Sequence, residues 1–225
     1  MLAFNAMSFY CGLVSDAPTR SYDSTHRRAM ADQNQRSVFA AASKLFATRG
    51  WAATGMRDVA REAGVSVETV YGAAGSKRAL LLRVIDIAIV GDDEQVPLAA
   101  RPEFRALSDG ERADRIAAAV ELIAAGNERV ALLFRAFAHG AADDAELAAA
   151  WHEARLNQRS TYAEGLRLFT GRRPRAEVVD SLWVLGSYEV FLQLTSEAGW
   201  KPQKYRGWLA DHLGRLVATH PEEKP

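Results

Sequence analysis

The sequence has a single cysteine, Cys11, among its 225 residues. One thiol excludes an intramolecular disulfide framework and any cysteine-based zinc site within one chain, and it suits a reducing compartment. No apolar run approaches the ~20 residues needed to span a bilayer. The opening stretch MLAFNAMSFYCGLV lacks a basic leader and is broken by Asn5 and Ser8, so neither membrane insertion nor secretion is expected and the cytoplasm is the expected compartment. Alternating runs bounded by turn residues are missing too, as are internal repeats and low-complexity tracts, which leaves an all-α fold.

Enzyme signatures are equally scarce. There is no HExxH, GxSxG, GxxxxGK[ST] or GxGxxG, and the nearest glycine cluster, Gly72 and Gly75, follows a helix where a phosphate loop needs a strand. The acidic groups Asp92, Asp93, Glu94 and Asp143, Asp144, Glu146 lack the spacing of a calcium loop. His26, His139, His152, His212 and His220 come without the carboxylates a metal or acid–base site requires. No catalytic residue, metal ligand or cofactor is expected.

What is present is a core's worth of apolar residues, 48% of the chain, and a formal net charge of zero that is unevenly spread. Residues 27–90 carry ten Lys/Arg against five Asp/Glu, net +5, whereas residues 91–225 carry 17 against 21. A basic segment inside a neutral chain is the footprint of a module that neutralises phosphates.

Within that segment, TGMRDVAREAGVSVETVYGAAGSK (Thr54 to Lys77) reads as two short helices around a tight turn. Val59, Ala60 and Ala63 form an apolar face that Gly64 ends; Ser66 stands where an N-cap belongs, with Glu68 in the following first turn. The second helix is expected to start near Val67 and stop before the Gly72–Gly75 pair, and Ser76 to cap a third helix carrying Leu80, Leu81, Val84, Ile85 and Ala88. Such a pair is the helix-turn-helix layout, whose second helix enters the major groove. Ser66, Val67, Thr69 and Val70, near the start of that helix, are the candidates for base contact, by hydroxyl bonds or by apolar contact with thymine methyls.

These residues resemble the tetracycline-repressor (TetR) family of bacterial transcription regulators. The likeness covers Arg36 to Val84: a first helix SVFAAASKLFATRGW, a threonine opening the next, RDVAREAGVS, ETVY and SKRALL. It implies phosphate contacts at Thr54, Tyr71 and Lys77. Ala73 and Ala74 depart from the family pattern, which commonly has an aromatic there. The resemblance also implies a C-terminal ligand-binding and dimerisation domain, and GSYEVFLQLTSEAGWKPQKYRGWLADHL is similar to a C-terminal type found in actinobacterial members.

The rest of the chain divides accordingly. Residues 1–28 read as a flexible arm or upstream sequence, with Met30 a natural alternative start and Arg20, His26, Arg27 and Arg28 placed to reach a minor groove. Residues 29–90 form the DNA-binding domain, beginning with a helix from about Ala29 to Arg49, and residues 91–225 the helical effector-binding and dimerisation domain, with the acidic GDDEQVPLAARP at the boundary. Gly126, Gly140, Gly171 and Pro174 punctuate the helices of the second domain, and Val178 to Leu194, apolar nearly all round, reads as one buried helix. Leu182, Leu185, Leu194 and Leu213 are the expected apolar interface of a homodimer.

The aromatic-rich segments mark an effector pocket at Phe134, Phe137, Trp151, His152, Arg155, Tyr162, Trp183, Tyr188 and Phe191, suited to a mostly apolar, flat or aromatic molecule. The chain thus reads as a ligand-responsive, homodimeric regulator of double-stranded DNA, a repressor on an inverted-repeat operator. The rival reading is a small-molecule-binding or interaction protein whose DNA-binding module is weakened at Ala73 and Ala74.

Overall fold

Side-chain caps and left-handed glycines set most helix ends in this chain. In the computed structural model, which describes residues 21–91 and 98–218, α1 spans Ser21–Arg49, α2 Met56–Ala63, α3 Val67–Ala74 and α4 Lys77–Val90. A 3₁₀ turn at Leu98–Ala100 leads to α5 (Pro102–Arg105), α6 (Arg112–Ala141), α7 (Ala145–Thr170), α8 (Ala176–Leu185) and α9 (Tyr188–Leu192). A π turn at Gln193–Glu197 and α10 (Pro202–Ala218) follow. No strand occurs among the described residues, and the fold is all-α.

The chain divides into two units, residues 1–33 and 34–225. In the first, the backbone is helical from Ser21, upstream of the expected start at Ala29. The expected arm as far as Arg20, with Cys11, lies outside the described residues, as do the acidic linker at 92–97 and His220. All that follows concerns the second unit.

Its axis is α6, a 30-residue helix against which α4, α7, α9 and α10 all pack. Gly126 does not interrupt it, because burial on several sides outweighs the weak helix propensity of one glycine. Ala124, Leu133 and Phe137 are fully buried along its length. Arg206 of α10 forks onto Glu121 (2.9 Å) and Glu128 (2.6 Å) of α6, which keeps both carboxylates facing that helix.

The apolar stretch Val178 to Leu194 is two helices, not one. Ser187 is the reason: its extended backbone breaks the helix, and its Oγ accepts the Val190 N–H (3.3 Å), the donor that a continuous helix would give to Gly186 O. Gly186 O is freed and buried, and two side chains from other helices satisfy it: Tyr162 Oη donates at 2.8 Å and Asn127 Nδ2 at 3.0 Å. Asn127 also donates to Tyr205 Oη (3.3 Å), so one polar node joins α6, α7, the α8–α9 break and α10. A Cβ at Gly186 would collide with the Tyr162 hydroxyl, which is why glycine is needed there.

A buried carbonyl with two donors tolerates losing one but not both. Tyr162→Phe and Asn127→Leu should each lower stability by about 1 kcal/mol, and the double variant by about 1–3 kcal/mol more than their sum, because Gly186 O is then orphaned. Urea unfolding of the four proteins checks this; strictly additive costs would contradict the node.

Candidate nucleic-acid interface and effector cavity

The reading pair is built by local rules. Gly64 ends α2 in the left-handed region (φ 69°), where a side chain would be strained, and Ser66 opens α3 by accepting the Thr69 N–H at 3.2 Å. The Ser66 and Thr69 hydroxyls are themselves hydrogen-bonded, 3.1 Å apart, on the exposed side of that turn. Glu68 stands in the same first turn, and its own backbone N–H and the Ser66 hydroxyl hold its carboxyl below the usual range. Contrary to expectation α3 continues through Gly72 to Ala74, ending at Gly75 (φ 72°). One interior glycine costs about 1 kcal/mol, and full burial of Val70 offsets that.

Val70 is therefore a correction to the candidate base contacts. Its exposure is 0%, its side chain is in the core shared with α1, α2 and α4, and no groove can reach it while the module is folded. Val67 is half-buried, Ser66 is exposed and Tyr71 is 50% exposed. Thr54 is 1% exposed and its hydroxyl donates inward to Gly50 O (2.8 Å), so that side chain closes the turn before α2. Lys77 is partly buried, with Nζ 4.1 Å above the Trp51 ring, which itself stacks on Phe46; loss of water lowers the lysine's pKa. Ala73 and Ala74 pack half-buried against the module's core, closing the α3–α4 junction without an aromatic. The exposed Arg57 of α2, not singled out from the sequence, lies on the same module.

Three contacts tie this module to the helices behind it. Arg78, in the first turn of α4, donates to Asp144 (3.1 Å) and to Glu146 at the start of α7. Asp144 also caps α7 through the Glu146 and Leu147 N–H groups (both 3.0 Å), and the Leu147 amide first, then Arg78, holds its carboxyl below its ordinary range. Trp51 presses on α6 so closely that a Cβ at Gly140 would lie 2.9 Å from its ring. Arg129 of α6 caps the end of α4, donating to Ala88 O (2.9 Å) and Ile89 O (3.2 Å).

Between α4, α6 and α7 lies a cavity of about 360 Å³. Its walls are mostly aliphatic and aromatic, with Asp86 from α4, Asn127 and Arg129 from α6, and Asn157, Gln158 and Tyr162 from α7 as polar groups. Of the expected pocket residues, Phe134, Phe137 and Tyr162 line it; Trp151, His152, Arg155, Trp183, Tyr188 and Phe191 do not. Trp151 and Tyr188 pack behind Phe134 at 5.9 and 5.7 Å between ring centres. Burial first, then the nearby Glu189 carboxylate, pushes the Tyr188 phenol up to about 12. Arg155 lies over the Trp183 ring (4.8 Å) and pairs with Glu189 (3.4 Å), Phe191 packs on Tyr205 (5.1 Å), and His152 is exposed. Asp86 and Asn127 were missed. Asn127 left a trace, a polar residue inside an apolar stripe; Asp86, on a helix taken only as a support, left none.

A three-helix module with a capped second helix, on an all-α body, has the layout of a helix-turn-helix DNA-binding module. The family model for bacterial regulatory proteins, tetR family, matches residues 38–84. Solved structures with the same fold include a transcriptional regulator from Rhodococcus sp. Rha1, 19% identical, covering 82% of this chain and 96% of that one at a TM-score of 0.60. A protein described as a TetR-family transcriptional regulator, from Mesorhizobium loti MAFF303099, is 18% identical over 84% of this chain and 97% of its own, at 0.61. A third, described as a transcriptional regulator, from Pseudomonas aeruginosa PAO1, is 17% identical over 83% and 91%, at 0.57. No curated protein sequence matches the chain.

The position of Val70 separates packing from reading. Val70→Ala should cost about 2 kcal/mol of stability through the cavity it leaves, whereas Tyr71→Phe at an exposed site should leave the melting temperature unchanged. Thermal melts of both variants check this, and an unchanged melt for Val70→Ala would contradict its place in the core.

Proposed function

We propose that the chain is a ligand-responsive transcriptional regulator, a repressor acting as a homodimer on an inverted-repeat operator in the cytoplasm. The observation that carries this reading is that one helix, α4, serves both sites: it begins at Ser76–Lys77, directly after the reading helix, and its Leu82, Ile85 and Asp86 wall the cavity. An occupant that shifts α4 changes the placement of α3, and linkage requires operator DNA to change the occupant's affinity by the same factor. Among the described residues no helix is long and apolar enough to cross a membrane, which accords with work on DNA. The reading assigns no catalytic step.

Ser66, Val67 and Thr69 take the base-reading role in this proposal, with Tyr71, Lys77 and the backbone near Thr54 on phosphates. The dimer surface needs revision. Leu182 and Leu213 are 5% and 1% exposed within a single chain, consumed by its own core, so neither is available to a partner. Val184, 60% exposed on α8, with the half-buried Leu185 beside it, takes their place as the apolar contact between copies.

A gel shift on the DNA upstream of the chain's own gene, repeated over a range of salt, tests the DNA assignment. Lys77→Ala should weaken binding to every sequence and reduce the salt slope by about 0.9. Thr69→Ala should instead change the preference at one or two base pairs, by about 1–3 kcal/mol. A Lys77→Ala protein with unchanged affinity and slope on a verified operator would remove that residue from the interface.

A further inference from the structure

The cavity's polar groups are not interchangeable, because neighbours in the chain already use much of their hydrogen-bonding capacity. Both amide hydrogens of Asn127 are committed, to Gly186 O and Tyr205 Oη. A carbonyl oxygen only accepts, so the amide nitrogen must face Gly186, and what Asn127 can offer an occupant is its oxygen. Tyr162 gives its hydrogen to the same carbonyl, which leaves the phenol oxygen as an acceptor. Gln158 is the converse: its Oε1 takes Arg155 (2.8 Å) and Trp183 Nε1 (3.0 Å), leaving two amide hydrogens.

At the rim the balance is electrostatic. Asp86 is exposed there, and withdrawal of water by the apolar surroundings raises its pKa more than Arg83, acting through space, lowers it. Arg83 lies over the Phe39 ring at 5.8 Å, and Arg129, which lines the cavity, directs its guanidinium onto Ala88 O and Ile89 O. Among the described residues no cation stands within ion-pair distance of Asp86. A carboxylate in partly apolar surroundings, acted on by Arg83 only through space, gains most from a ligand that brings a charged donor.

We propose that the cavity selects an apolar molecule carrying a protonated amine, its hydrocarbon body along α6 and its ammonium at Asp86. This rests on the reading of the cavity as the effector site. A carboxylate on the same hydrocarbon meets Asp86 as a like charge, and an alcohol donates a hydrogen bond to it but brings no charge of its own.

Decylamine, decanol and decanoate share one hydrocarbon body and differ in the head group. Titrated into the full-length chain and followed by calorimetry at neutral pH, decylamine should bind about tenfold tighter than decanol, with decanoate weakest. Asp86→Asn should abolish the preference for amine over alcohol. Ala154→Phe and Ile123→Trp, at positions lining the lumen, should weaken all three, with circular dichroism confirming that at least one variant is folded. If all three bind alike and the filling variants block all three, the amine selectivity is overturned and the cavity reading stands. If no probe binds, or the folded filling variants change nothing, both are overturned.

Discussion

The buried carbonyl of Gly186 is the constraint on which the C-terminal half of this molecule depends. Its helical donor is diverted to Ser187, so donors must come from α6 and α7, and Asn127 and Tyr162 supply them. Leaving such a group unpaired costs about 1–3 kcal/mol, a sizeable share of a domain's net stability. The need to meet it fixes where α6, α7 and α10 stand relative to the broken α8–α9 segment. The same two side chains line the cavity, and the node thereby also decides which of their atoms face an occupant.

The proposed coupling between cavity and reading helix rests on packing more than on surface charge. Arg78, Asp144 and Glu146 join α4 to α7, but these side chains keep a quarter or more of their surface in water, and pairs so placed contribute little each. Trp51 against Gly140 is different: there is no room between ring and backbone, so displacement of the C-terminal end of α6 is transmitted to Trp51 and to the Lys77 ammonium above it. Arg129 closes the opposite end of α4 from the same helix. Thus α4 is held at both ends by elements that also line the cavity, and its middle is a cavity wall.

The parts legible in the sequence are those governed by local rules. Gly64, Ser66 and Ser76 declare the reading pair because capping and left-handed backbone depend on a residue and its near neighbours, and the structure places these three caps as expected. Non-local competition was harder to read. Gly126 and Gly72 looked like stops, yet burial of the surrounding helix outweighs their propensity. The missing side chain of Gly186 makes room for Tyr162 of the same chain, a partner distant in sequence. Val70, Leu182 and Leu213 were assigned outward roles that their complete or near-complete burial forbids, since an apolar residue on a short helix carries no mark of which surface it will meet. Phe134, Trp151 and Tyr188, gathered from the sequence, are real neighbours, but Trp151 and Tyr188 fill space behind Phe134, leaving the lumen to Phe134, Phe137 and Tyr162 among aliphatic side chains of α4, α6 and α7.

The central claim is that two copies of this chain read DNA through α3. Selection from a random duplex pool, with the mass of the selected complex measured by light scattering, tests it most directly. The account predicts enrichment of an inverted repeat whose half-sites lie about one helical turn apart, or a multiple of it, bound by an even number of chains. A pool that shows no enrichment over successive rounds, or one that yields a single asymmetric site occupied by one chain, would contradict it.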